Sequence, residues 1–167
     1  ADLRNHFGSG DCRFRFQFIS AAQPAGSETG FRADAPLLQH NVKPKMIPST
    51  AKGKKAFTYF KRIAESPKGW ALWEASVDFF RPHQIRAHAA LHEVPVMGDT
   101  LYGGAEAPIQ RELLPKKQRA GLNFPSFHGL ALHLAEVQLV PGDLDTTILS
   151  KPPKHLRFLI RRMGLGE

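Results

Sequence analysis

The chain is expected to fold as a single α+β domain, a mixed and largely antiparallel sheet with few flanking helices. Three observations carry that expectation. Apolar and polar residues alternate over 13–19, 70–79 and 129–140, the period-2 signature of half-buried strands. Helical periodicity is confined to a stretch after Pro82 and another at the C-terminus. The length of 167 residues suits one core, and neither a repeat nor a linker divides it.

Residues 13–19 (RFRFQFI) predict a strand with an aromatic face of Phe14, Phe16 and Phe18. Residues 20–36, rich in Gly, Pro and Ser, predict a loop. A short strand is expected over 43–48 and a basic turn around Gly53 over 49–55. Residues 56–64 lead through Pro67-Lys68-Gly69 into the Trp70 strand, so an antiparallel hairpin is predicted. In that second strand Ala71, Trp73, Ala75, Val77 and Phe79 oppose Glu74, Ser76 and Asp78. Pro82 stops the ladder, having no N–H to donate, and its fixed φ suits a first helical turn. From His83 the spacing of Ile85, Ala89 and the His88/His92 pair is helical, and Val94-Pro95 ends it. Residues 103–128 read as an insertion-like loop with a short basic helix near Arg111–Arg119. A strand follows over 129–140, then a Pro141-Gly142-Asp143 turn and a short strand from Thr146 to Ser150. Leu156, Leu159, Ile160 and Met163 mark one face of a C-terminal helix ending near Gly164.

Composition narrows the function. A formal net charge of +8 and a pI near 9.9 favour a polyanionic partner, nucleic acid before anionic membrane. The cations cluster at Lys43–Lys55, Arg111–Arg119 and Lys151–Arg162. No apolar run approaches the roughly 18–20 residues of a membrane span, and no apolar signal core opens the chain. The single cysteine, Cys12, excludes an internal disulfide and a cysteine-cluster metal site, and fits a reduced, cytoplasmic compartment. The chain opens on Ala, which reads as a trimmed or partial polypeptide.

The residues 80–104, FRPHQIRAHAALHEVPVMGDTLYGG, hold the densest chemistry. The strand–turn–helix corner places Arg81 at the turn and Arg86 one turn into the helix, where free N–H groups and two guanidiniums suit an anion or carboxylate. Spacing alone also allows both arginines to lie in solvent. A metal site is not expected from the histidines. His83 and His88 sit about 140° apart on a helix. His88 and His92 share a face, but no Glu stands between them in a His-Glu-x-x-His arrangement. His128 and His133 complete no ligand set.

These residues resemble the RluA-like pseudouridine synthases. The stretch Arg81-Pro82-His83-Gln84-Ile85-Arg86-Ala87-His88, then Glu93-Val94-Pro95, then Gly98-Asp99-Thr100-Leu101-Tyr102-Gly103, is similar to the central signature of that family. Ala35-Pro36-Leu37, Gly53-Lys54-Lys55-Ala56-Phe57-Thr58, Leu132-His133 and Ser150-Lys151-Pro152-Pro153 continue the resemblance in order over roughly residues 13–163. It implies a pseudouridine synthase-like catalytic domain acting on rRNA or tRNA, with no metal or organic cofactor and no membrane, expected as a monomer. Uridine would be isomerised by an aspartate acting on a flipped-out nucleotide.

Carried over by residue, the resemblance makes Arg86 the arginine that pairs with the catalytic aspartate, and puts Phe16, or Phe14 if the register slips, at the position of the family's active-site tyrosine. Arg81, His83, Gln84, Lys54 and Lys55 are expected to contact RNA, and Gly98, Asp99, Tyr102 and Gly103 to shape the loop. The family's His-Arg-Leu-Asp segment is absent; Asp2, Asp11, Asp34, Asp78, Asp99, Asp143 and Asp145 all lie in other contexts. The carboxylate for Arg86 is therefore expected from outside this chain, with residues 1–167 a single domain lacking its N-terminal part. Phe16 has no hydroxyl to relay a proton, and Phe80 and Pro82 replace the signature's Gly and Thr. The rival expectation is a catalytically inactive homologue that binds RNA.

Overall fold

The computed structural model describes residues 11–21, 29–79, 81–140 and 145–166. Phe80, Asp2 and the Pro141-Gly142-Asp143 turn lie outside them. In order the strands are β1 (Cys12–Ala21), β2 (Gly30–Ala33), β3 (Leu37–Gln39), β4 (Met46–Pro48), β5 (Thr58–Ser66) and β6 (Trp70–Val77), followed by helix α1 (Gln84–Leu91). Then come β7 (Leu132–Leu139), β8 (Thr146–Leu149) and helix α2 (Lys154–Met163). One sheet takes the order β2-β5-β6-β1-β7-β8 with every pairing antiparallel, and β3 and β4 form a separate hairpin.

Burial on both faces of the sheet fixes this arrangement. Phe18 and Trp73 point to one side, where they pack with Phe60, Ile85, Ala89, Val94 and Val96 beneath α1. Their neighbours Ile19 and Leu72 point to the other, against Leu156, Leu159 and Met163 of α2. Period 2 thus feeds two cores from the same strands. The Trp73 indole stays satisfied by donating to Ser20 Oγ at 2.9 Å. Arg15, on the polar side of β1, bridges Glu74 of β6 and Glu136 of β7. A three-way backbone junction ties the chain leaving α1 into this frame. Met97 N–H donates to Ile19 at 2.7 Å, Ala131 N–H to Met97 at 3.0 Å, and Ile19 N–H to Ala131 at 3.0 Å.

The β5–β6 hairpin, the strands over 13–19, 70–79 and 129–140, and the C-terminal helix stand as the periodicity predicts. Gly164 ends α2 at φ 76°, the left-handed conformation that glycine tolerates. Other expectations need correction. The predicted loop over 20–36 contains β2, whose Phe31 stacks on Phe60 at 4.9 Å and holds a four-residue edge strand in place. The helix expected from His83 begins at Gln84, because His83 itself is left-handed at φ 54°. The short basic helix becomes two 3-10 turns, Gln110–Leu113 and Lys116–Gln118, since Pro115 interrupts them.

Candidate functional site

Gln84 docks α1 onto β5. Its Oε1 accepts from the Arg81 N–H at 2.8 Å, and its amide donates to the Phe57 carbonyl at 2.7 Å and Thr58 Oγ1 at 3.3 Å. His88, one turn on, lies 2.8 Å from Thr58 Oγ1 through Nδ1 and 2.9 Å from the Ala35 carbonyl through Nε2. A carbonyl only accepts, so Nε2 carries the proton and Nδ1 accepts from the threonine. Burial lowers the His88 pKa, with His92 adding to the effect, and the ring is neutral. Gln84, expected to contact RNA, is buried, and its amide is committed to the fold.

Arg86 already has a carboxylate partner inside the chain, the loop residue Asp99, which is distinct from the catalytic aspartate that the resemblance assigns to it. Nε and Nη2 of Arg86 donate to Oδ2 and Oδ1 of Asp99 at 2.6 and 2.8 Å. The Asp99 side chain is 0% exposed and that of Arg86 15%. The guanidinium also lies 5.0 Å over the Tyr102 ring, and the bonds to Asp99 raise the Arg86 pKa. Asp99 Oδ1 further accepts from the Tyr102 N–H at 3.3 Å. The Tyr102 hydroxyl accepts from the Met46 N–H at 2.7 Å and sits 3.2 Å from His83 Nδ1. Gly98 and Gly104 are required here. A Cβ on Gly98 would collide with the Gly129 carbonyl, and one on Gly104 with that of Val96.

Beside this assembly opens a cleft of about 250 Å³ lined by Phe16, Arg81, His83, Gln84, Ile85, Arg86, Leu132 and Leu134. Antiparallel register explains its apolar wall, since Phe16 pairs with Leu134 and Phe18 with Leu132. The leucines visible in the alternation of β7 face the cleft, whereas Ala131 and Ala135 are buried. Sequence reasoning saw that alternation and did not assign the leucines to the site. Arg81 reaches the cleft from the turn, with its Nε 3.5 Å from the Lys55 carbonyl. Among the described residues it has no carboxylate partner. Burial and the Arg86 charge lower the His83 pKa, and its left-handed backbone marks a conformation held by its surroundings.

Lys54 and Lys55 are exposed. Lys54 lines a second concavity of about 300 Å³ with Leu37, Leu38, Met46 and Lys52, which meets the first at Arg81. Gly103, at φ 79°, closes the loop with open space around it. Among the described residues no group of three or more His, Cys, Asp or Glu side chains could hold a metal ion. His92 stacks on Phe31 at 4.5 Å, and His133 lies 2.8 Å from the Ser150 carbonyl. No described helix is long and apolar enough to cross a membrane.

No protein-family model matches the chain. Curated proteins do. An uncharacterised RNA pseudouridine synthase of Synechocystis sp. is 42% identical over 119 residues, covering 64% of this chain and 40% of that protein. Ribosomal large subunit pseudouridine synthase D of Vibrio cholerae is 35% identical over 75 residues, covering 45% and 23%. These relatives make the chain similar to RNA pseudouridine synthases, and they support its resemblance to the RluA-like family.

Solved structures share the pseudouridine synthase fold. Human RNA pseudouridylate synthase domain containing 4 superposes with a TM-score of 0.71 at 16% identity, over 97% of this chain and 66% of that one. Human RNA pseudouridylate synthase domain containing 1 gives 0.65 at 13% identity, over 90% and 59%. The chain spans between 23% and 40% of the length of the curated pseudouridine synthases named above.

Proposed function

We propose that this chain forms part of the catalytic cleft of an RNA pseudouridine synthase acting on rRNA or tRNA. In that reaction the N1–C1′ bond breaks, the uracil turns, and C5 joins C1′ with loss of its hydrogen. One observation carries the reading. The cleft brings apolar Phe16, Leu132 and Leu134 into one lining with Arg81, a guanidinium without a carboxylate partner among the described residues. A flipped base needs a flat apolar surface, and the family's chemistry needs a cation to orient a carboxylate. Arg81 is the arginine assigned to that carboxylate, because it has no carboxylate partner among the described residues, whereas Arg86 already donates through Nε and Nη2 to Asp99. Arg86 is a positioning residue that holds the cleft's rim.

Phe16 would stack on the uracil, and neutral His83 would offer a hydrogen bond without adding charge. The nucleophilic aspartate is not among the described cleft residues; the family resemblance locates it in a His-Arg-Leu-Asp segment. The chain is read as a cytoplasmic protein and a monomer, needing no metal or organic cofactor. The relatives named for the ribosomal large subunit favour rRNA as the target.

A second reading, an RNA-binding homologue without isomerase activity, is favoured by Phe16, which cannot relay a proton. Transcripts carrying uridine tritiated at C5 separate the two. Incubated with the full protein that contains this chain, they should release tritium to water, and Arg81→Gln should abolish release. Binding without release would establish the second reading.

A further inference from the structure

From Arg81 a line of alternating cations and rings leads out of the cleft. The Arg81 guanidinium lies 5.3 Å from the Phe79 ring centre, and Phe79 meets Phe57 edge-on at 6.4 Å. Arg32 then stands 4.7 Å over Phe57 and 5.8 Å over Tyr59. Strand register explains the last step, since Arg32 of edge strand β2 pairs directly with Tyr59 of β5. Tyr59 is 51% exposed and Arg32 is exposed, while Phe57 and Phe79 are half-buried. Neither Arg32 nor Arg81 has a carboxylate partner among the described residues. No core contact needs this arrangement. Phe31 and Phe60, their neighbours in sequence, already fill the interior from the same strands.

We propose that Arg81, Phe79, Phe57, Arg32 and Tyr59 form a stacking track for single-stranded RNA flanking the nucleotide held in the cleft. This rests on the reading of the cleft as an RNA site. The chemistry commits the track to unpaired bases. Rings and a guanidinium held flat against them offer π surfaces to base faces, which a duplex hides. Arg32 supplies charge to the phosphates, and Lys55, whose carbonyl meets Arg81, stands exposed beside the track. A strand leaving the cleft at Arg81 would pass Phe79 and Phe57 and reach the β2 edge at Arg32.

The test is fluorescence anisotropy with labelled short oligouridine at low salt. Arg32→Gln, Tyr59→Leu and Phe57→Leu, the last keeping the apolar volume should Phe57→Ala fail to fold, should each weaken binding by about fivefold or more. Replacing the flanking bases of the probe by abasic linkers should erase the difference between variants and wild type. Equal binding by variants and wild type, or the same loss on abasic or duplex RNA, overturns the track. If Arg81→Gln still weakens binding in that case, the reading of the cleft survives. Failure of the wild type to bind oligouridine overturns both.

Discussion

Arg86 and Asp99 are joined by two charge-assisted hydrogen bonds, with the carboxylate sealed from solvent. That pair clamps α1 to the loop that begins at Gly98. Taking away one member strands the other in a site too dry to solvate it.

Asp99→Asn should therefore lower unfolding free energy by about 3 kcal/mol. Urea titration followed by far-UV circular dichroism measures it. A change below about 0.5 kcal/mol would show that the pair contributes little.

Arg81 and Arg86 should behave as opposites. Arg81→Gln is expected to leave stability within about 0.5 kcal/mol of wild type and to weaken binding of uridine-containing RNA, since it removes a guanidinium that lines the cleft. Arg86→Gln should destabilise the fold. Loss of binding by a stable Arg86→Gln, with Arg81→Gln unaffected, would restore Arg86 as the substrate-facing arginine.

The neutral His88 makes stability depend on pH. Its folded pKa is lowered, chiefly by burial, so the unfolded chain binds the proton more readily. Stability is full above the ordinary histidine range and falls as pH drops through it, by at most about 1.4 kcal/mol per unit for this proton. Urea midpoints measured between about pH 7 and about pH 5 should decline, and His88→Gln should flatten that slope. An unchanged slope would remove His88 as its source.

Glycines of one loop should differ in tolerance. Gly103→Ala meets open space and bears only the left-handed backbone cost of about 1–2 kcal/mol. Gly98→Ala and Gly104→Ala would drive a methyl into carbonyl oxygens and should prevent a native fold. Thermal melts of the three variants decide it, and equal melting temperatures would contradict the packing.

Phe16→Ala should weaken binding of uridine-containing RNA by about 1–3 kcal/mol, while Phe16→Tyr retains it. Anisotropy titrations report both. If Phe16→Ala binds as wild type does, the base does not stack there.

The strands were legible where side chains alternate strongly, as at Phe14, Phe16 and Phe18 or Ala71, Trp73 and Ala75. β2 was not, because four residues among glycines and prolines show no period, and its reason to exist is the distant Phe60. The corner at Arg81 was legible from Pro82 and the helical spacing after it. The partner of Arg86 was not, since nothing in a separation of 13 residues tells that a loop folds back beneath a helix. The leucines of β7 show the same limit. Alternation says that Leu132 and Leu134 share a side and not whether that side meets a core or a cleft.

The junction at Met97 bears on how the cleft can select its occupant. Backbone bonds tie the chain leaving α1 to both Ile19 of β1 and Ala131 ahead of β7. The jaw carrying the arginines and the jaw carrying the leucines are thus anchored to one stitch. A change at any of Ile19, Met97 or Ala131 would therefore alter both walls that an occupant meets.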